Sequence, residues 1–353
     1  MRILIKIGSN LIQTDDGDID LGFIAKLAKD IKELKSKGDD VLIVSSGAVL
    51  CGVKKLGMKE RPKELSLKQA LAGIGQAYLM HIYDVTFSNY GLVPSQVLLT
   101  SDVFREKVKF YNSKNAIEKA LELGVVPIIN ENDTVAISEL VFGDNDLLAV
   151  HTAFMMDVEL LVILSSAGGL RDEVWEIIPY VEDIEKAFLF VKGIRSEFGS
   201  GGMYSKLFAT RVALSLGIHV VITGKDDSLL DVRNFKTKGT LFKSSGKPLK
   251  PKKKFIAMME EPKGIIYVDT GAFKALKDGK SLLPAGIVKV EGMFGRYDVV
   301  SIYTEDGFLV GKGKVNFSSE ELSRVIRKRG KEVKSILKTT KEEAVHRDNL
   351  VLF

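Results

Sequence analysis

The sequence predicts an α/β domain built on an open, mainly parallel sheet sandwiched by helices, followed by a small mostly-β domain. Three observations predict it. The first 225 residues alternate short, almost wholly apolar runs with helical patterns, and such runs suit parallel strands covered on both faces. Near residue 240 the alternation stops, and TLFKSSGKPLKPKKKF combines Ser, Gly, Pro and six lysines in a linker-like composition. Beyond it the runs are short and extended, with turn residues between them. A chain of 353 residues also exceeds what one core usually supports. The expected division is 1–240, a linker over 241–254, and 255–353.

Each element of the first domain has its own signal. The strand runs are RILIKIG, DDVLIVSSG, GVVPIINEND, VELLVILSS and GIHVVITGK. In DIDLGFIAKLAKDIKELKSKG, Leu21, Ile24, Leu27, Ile31 and Leu34 form one helical stripe, with Asp20 as N-cap and Gly38 as the stop. SLKQALAGIGQAYLMHIYDVTF, NSKNAIEKALELG and LLAVHTAFMM continue the helices. In the last hundred residues KGIIYVD, GIVKVEG, DVVSIYT and FLVGKGKV read as strands.

Composition narrows the class. Hydrophobic residues at 45% and charged ones at 27% describe an ordinary globular protein. MRILIKIGSN already reads as a strand, which leaves no room for a targeting segment, and no apolar run is long enough to cross a bilayer. No membrane association and a cytoplasmic location are expected. The single Cys51 allows neither an internal disulfide nor a cysteine metal cluster, and reads as a small core residue. The net charge of +5 is uneven. Residues 252–353 carry 20 Lys and Arg against 14 Asp and Glu, while residues 1–251 carry 31 against 32. That excess permits contact with nucleic acid without requiring it.

In an open parallel sheet, ligands bind beyond the carboxyl ends of the strands. Here those ends look alike. The first strand closes with Lys6, Gly8 and Ser9; the second runs into Ser46, Gly47 and Ala48; the third ends in Asn130 to Asp133. Gly143 to Asp146 precede one helix, and GSGGMYSKL, residues 199–207, opens another. Small residues at such points let amides approach an anion, and helix N-termini add a favourable dipole. Lys6 and Lys206 could neutralise phosphate oxygens during transfer. Asp133 and Asp146 could hold lysines, a metal ion or a substrate ammonium. The set suits phosphoryl transfer from a nucleotide to a small polar acceptor.

Each piece alone has a plainer reading. GSGGMYSKL fails the P-loop pattern, because Ser205 precedes Lys206 and Leu207 follows it. A glycine-rich segment by itself is a mobile turn. NEND and GDND by themselves are turns with Asx hydrogen bonds. Lys6 could snorkel to the sheet edge. His81, His151 and His219 fall in structural patterns, and no G-x-S-x-G supports a serine triad. It is the shared placement after strands that favours the joint reading.

IKIGSN, VSSGAV, PIINENDTVA, FGDNDLLA and GSGGMYSKL, in this order, resemble the amino acid kinase family, and within it the branch that phosphorylates glutamate. The similarity continues through SLLPAGI and AVHRDNL, and the last hundred residues resemble a PUA domain. The resemblance implies the amino acid kinase fold and ATP-dependent phosphorylation of the γ-carboxylate of L-glutamate, the first step of proline biosynthesis, with Mg²⁺ accompanying ATP. By position it implies catalytic roles for Lys6, Lys206 and Asp146, and glutamate contacts from Ser46, Gly47, Asn130, Asp133 and Asn145. It places ATP against Lys6, Gly8, Ser9, Ser165, Ser166, Ser200, Gly201, Gly202, Met203, Tyr204, Ser205 and Lys206. It implies no protein-held metal. It also implies feedback inhibition by proline, a homo-oligomer (dimer or tetramer), and hand-off of the acyl phosphate to a glutamate-5-semialdehyde dehydrogenase.

One departure stands out. Where the family usually shows a Thr-Asp pair that touches the nucleotide, this chain has Ser165-Ser166, followed by a shorter AGGLRDEVWEI. The lost carboxylate bears on ribose or base recognition and leaves the phosphate side untouched. Two alternatives stay open: a related kinase with another small acceptor, and an RNA-binding or regulatory protein acting through the basic PUA-like domain. For the latter, RVIRKRGKEVKSILK supplies clustered charge without aromatic stacking platforms, and also reads as a solvated helix face.

Overall fold

The computed structural model describes residues 1–14, 16–58, 62–135, 145–191, 202–244, 249–258 and 260–353. The chain separates into two compact units, Met1–Lys247 and Pro248–Phe353.

The first unit carries strands β1 (Arg2–Ile7), β2 (Asp40–Ser45), β3 (Pro94–Leu99), β4 (Val126–Glu131), β5 (Leu160–Leu164), β6 (Tyr180–Val181), β7 (His219–Thr223) and β8 (Thr240–Phe242). Its helices are α1 (Leu21–Ser36), α2 (Ala48–Lys55), α3 (Leu65–Ser88), α4 (Lys107–Glu122), α5 (Asn145–Met155), α6 (Ile184–Ala187), α7 (Met203–Ser215) and α8 (Leu229–Arg233). Among the described residues the strands form one sheet in the order β3-β4-β2-β1-β5-β7-β8-β6. Every pairing from β3 to β7 is parallel, β7 and β8 are antiparallel, and β6 joins β8 in parallel.

The apolar runs read from the sequence are the buried central strands. Val126 to Glu131 and Leu160 to Leu164 are buried throughout, as helices on both faces require. Strand parity then sorts the side chains. Ile3, Ile5 and Ile7 join a core with α1, α3 and α8. Successive strand residues face opposite sides, so Leu4 and Lys6 face the other way. On that side α5 lies against β1, β2, β4 and β5, and beside α7.

Helix α1 obeys its stripe. Ile24, Leu27, Ile31 and Leu34 are buried, whereas Leu21 at the first position is 57% exposed. Asp20 accepts a hydrogen bond from the Phe23 amide, and Gly38 has φ +81°, the left-handed value that ends the helix. Strand β3 has no counterpart among the sequence-read runs. It is an edge strand with Pro94 first and only its last residue buried, so it lacks a continuous apolar run. Helix α2 follows β2 so closely that VSSGAV conceals its start.

The second unit holds helix α9 (Pro251–Met258), strands β9 (Ile265–Val268), β10 (Ile287–Glu291), β11 (Val299–Thr304), β12 (Leu309–Val315) and β13 (Val345–Leu352), and helices α10 (Thr270–Lys277), α11 (Ser319–Val325) and α12 (Gly330–Leu337). Its sheet runs β10-β9-β11-β12-β13, antiparallel except for the β9–β11 pair. Ile266, Ile302, Val315, Phe317 and Val345 centre its own core. Ser318 and Glu321 form a reciprocal capping box on α11. The stretch read as linker, 241–254, contains the end of β8 and the start of α9, whose Ile256, Ala257 and Met258 are buried beyond the lysines. Among the described residues, no helix is long and apolar enough to cross a membrane.

Candidate active site

The carboxyl ends of β1, β2, β4 and β5 open onto a cavity of about 600 Å³, within the range of small-molecule sites. Lys6, Gly8 and Ser9 line it from β1, and Ser46 and Gly47 from the turn after β2. Asn130 and Asp133 line it from β4, Asn145 from α5, Ser165 and Ser166 from β5, and Lys206 from α7. Residues 200 positions apart in sequence thus share one wall-to-wall space.

Beneath that space lies an ion triad. Asp146 sits in the first turn of α5, fully buried, where the helix dipole favours a carboxylate. Its Oδ1 is 2.6 Å from Lys6 Nζ, and its Oδ2 accepts a hydrogen bond from Lys206 Nζ at 3.1 Å. Both lysines are at most 5% exposed. Strand parity aims Lys6 at α5, and the packing of α5 on α7 brings Lys206 to the same carboxylate. Two ammonium groups share one buried carboxylate, and that pairing offsets the cost of burying charge.

A neutral polar network lies alongside. Asn145 Nδ2 donates towards Ser45 O at 2.8 Å, Ser46 Oγ at 2.9 Å and Asn130 Oδ1 at 3.1 Å. Asn130 in turn donates to Gln76 Oε1 at 2.9 Å, and its Oδ1 accepts from the Glu131 amide. Ser45 Oγ and the Tyr83 hydroxyl are 2.9 Å apart, and full burial raises that phenol well above its ordinary pKa. These bonds tie α5, the end of β2, the end of β4 and α3 into one frame.

The turn between β2 and α2 needs its glycine. Gly47 has φ +106° at the N-cap of α2, a region costly for any side chain. Helix α2 is held by close approach to α3: a Cβ on Gly75 would meet Ala48 O at 1.8 Å, and one on Gly52 would meet Leu71 O at 2.0 Å. Cys51 is buried in the same helix, where desolvation pushes its thiol up to about 11.

Asp133 differs from Asp146. It has no hydrogen-bond or ion-pair partner among the described residues, and burial raises its carboxyl pKa. A carboxylate in that state gains from any cation that enters.

The structure separates some of the sequence-read residues from this cavity. Gly202 caps α7, and Met203, Tyr204 and Ser205 form its first turn without lining the cavity. The Tyr204 ring packs edge-on against Phe188, centroids 5.5 Å apart. Ser200 and Gly201 lie outside the described residues, as do Gly143 and Asp144. None of His81, His151 and His219 lines the cavity. Conversely, Asn10, Glu131, Lys63 and Lys68 line it without having been singled out. Asn10 and Glu131 stand inside IKIGSN and NEND, which is a usable signal; for the two lysines nothing in the sequence is.

Comparisons with known proteins agree with this geometry. The model of the Amino acid kinase family matches residues 1–224, and that of the PUA domain matches residues 264–337. A glutamate 5-kinase from Aquifex aeolicus is 62% identical over 355 residues, covering 100% of both chains. One from Caldanaerobacter subterraneus subsp. tengcongensis is 38% identical, covering 100% of this chain and 98% of the relative. Among solved structures, carbamate kinase from Giardia lamblia bound to AMP-PNP shares the fold with TM-score 0.51 at 14% identity, over 69% of this chain and 98% of that one. The chain belongs to the amino acid kinase family, with a PUA domain behind its kinase unit.

Proposed function

We propose that the chain transfers the γ-phosphoryl group of ATP to the γ-carboxylate of L-glutamate, forming L-glutamyl 5-phosphate, the first step of proline biosynthesis. The observation that carries this reading is one cavity lined by Lys6 and Lys206 of the triad and by Asp133, which has no partner among the described residues. The full-length relatives named glutamate 5-kinase support it.

The residues have separable tasks. A γ-carboxylate oxygen attacks the γ-phosphorus; the new carboxylate O–P bond forms as the bond to the β–γ bridging oxygen breaks and ADP leaves. The glutamate carboxylate is ionised at neutral pH, so no general base is required. Lys6 and Lys206 compensate the charge on the moving phosphoryl group, and Asp146 holds both ammonium groups in place beforehand. Amides around Gly8, Ser9 and Gly47 receive phosphate and carboxylate oxygens, the Gly8 amide itself donating to Leu164 O at 3.4 Å. Asp133 takes the α-ammonium of glutamate, while Ser46, Asn130 and Asn145 orient its carboxylate. Ser165 and Ser166, which line the cavity, border the nucleotide.

Mg²⁺ enters as part of the substrate, MgATP. Among the described residues no three His, Cys, Asp or Glu side chains converge on a metal site, and phosphate-bound Mg²⁺ commonly takes only one or two protein carboxylates. The same reading carries feedback inhibition by proline, a dimer or tetramer, and delivery of the labile product to a glutamate-5-semialdehyde dehydrogenase.

The test is an incubation with L-glutamate, ATP, Mg²⁺ and hydroxylamine, which traps an acyl phosphate as its hydroxamate. The parent protein is expected to form hydroxamate and Lys206→Ala to form almost none. No hydroxamate from the parent sinks the reading. An unchanged glutamate KM in Asp133→Asn redirects it to another acceptor.

A further inference from the structure

The geometry points to Lys68 as a specificity-determining residue that pairs with the α-carboxylate of the acceptor, an inference that rests on the amino-acid acceptor proposed above. Lys68 lines the same cavity as Asp133, and its exposed side chain makes no ion pair or hydrogen bond among the described residues. Its element brings it to the acceptor side. Gln76 on α3 binds Asn130, and three residues earlier a Cβ on Gly73 would meet Thr134 Cγ2 at 3.3 Å. Helix α3 therefore runs along the end of β4 past Asp133, and Lys68 lies about 7.5 Å further along it at 1.5 Å per residue.

The charge is not there for the helix. Lys68 sits near the start of α3, where the macrodipole disfavours a cation; the N-cap Glu64, four residues earlier, accepts from Ser66 Oγ and makes no ion pair with Lys68. Lys6 and Lys206 already share Asp146 on the β1 side, so the phosphate end has its own cations. Among the described residues that line the cavity, the cations left for the second group on the α-carbon are Lys63 and Lys68. Ammonium and α-carboxylate leave the same atom, so a cation meant for the latter must stand beside the carboxylate that binds the former. Lys68 shares the cavity lining with Asp133, and Lys63 on the same wall adds to the local positive field.

The test compares L-glutamate with 4-aminobutyrate, which keeps the ammonium and the reacting carboxylate but has no α-carboxylate. Turnover is read by ADP release or, where that is below detection, as the competitive inhibition constant of 4-aminobutyrate. Lys68→Met is expected to lower kcat/KM for glutamate roughly 10- to 100-fold, the usual size of a charge-assisted hydrogen bond, with 4-aminobutyrate and the ATP KM unchanged. Lys68→Arg is expected to restore most of the loss. Equal losses on both acceptors, no loss on either, or a raised ATP KM would each overturn the assignment. If the parent protein forms no hydroxamate from glutamate, the underlying acceptor reading fails instead.

Discussion

The two sides of the cavity are built on opposite electrostatic principles. On the β1 side every charge has a partner before substrate arrives: Asp146 is fully buried between Lys6 and Lys206. On the β4 side Asp133 has no described partner and its carboxyl pKa is raised by burial alone. Under the proposed function, the difference makes the site rigid at its phosphoryl end and receptive at its acceptor end. A preorganised triad costs no reorganisation at the moment of transfer. An unsatisfied carboxylate stores a desolvation cost that a substrate ammonium relieves, which turns binding into selection.

That contrast can be broken most strongly at its buried end. Asp146→Asn leaves two buried ammonium groups without their anion, and is expected to cost about 3–5 kcal/mol of stability in a denaturant melt. A loss below 1 kcal/mol would mean that the triad is not electrostatically coupled. Lys206→Ala removes one charge stabiliser, and kcat is expected to fall about 10²- to 10³-fold with little change in glutamate KM. A pure KM effect in steady-state kinetics would contradict the division of labour.

The open end should respond in the opposite sense. Asp133→Asn is expected to raise glutamate KM roughly 10- to 100-fold, yet to melt no lower than the parent. The sign follows from the raised pKa. Charge on Asp133 is disfavoured in the fold, so at neutral pH it subtracts from stability, and that penalty disappears as pH falls through its folded pKa towards the unfolded value. For the same reason glutamate binding should weaken on acidification from a pH above the ordinary aspartate range. A binding titration that stays flat until that ordinary range would show Asp133 is not the ammonium partner. The smallest effect belongs to the hinge between the two sides. Gly47→Ala forces a side chain into positive φ and is expected to cost about 1–2 kcal/mol in the same melt.

Much of this was legible before any coordinates. Strands β1, β2, β4, β5 and β7, the covered parallel sheet and the set Lys6, Gly47, Asn130, Asp133, Asn145 and Lys206 follow from apolar runs and from what stands at their ends. Strand β3 was not legible, because an edge strand exposed on most positions has no continuous apolar run. The helix α9 within lysine-rich composition was hidden for a similar reason, since three lysines precede its buried Ile256. GSGGMYSKL was partly legible. Its lysine reaches the triad while Met203, Tyr204 and Ser205 stay off the cavity wall, because a helix turn sends successive side chains to different faces.

By itself the sequence determined the local periods, the punctuation after each strand and the inventory of charges, because backbone sterics and solvation act residue by residue. Only the tertiary structure decided which charges meet. Strand order placed β1 between β2 and β5, parity turned Lys6 towards α5, and the packing of α5 on α7 closed the triad 140 and 200 residues away. It also brought Lys68 of α3 to the cavity that Asp133 lines, since a lysine on a helix meets a distant residue only once that helix is packed.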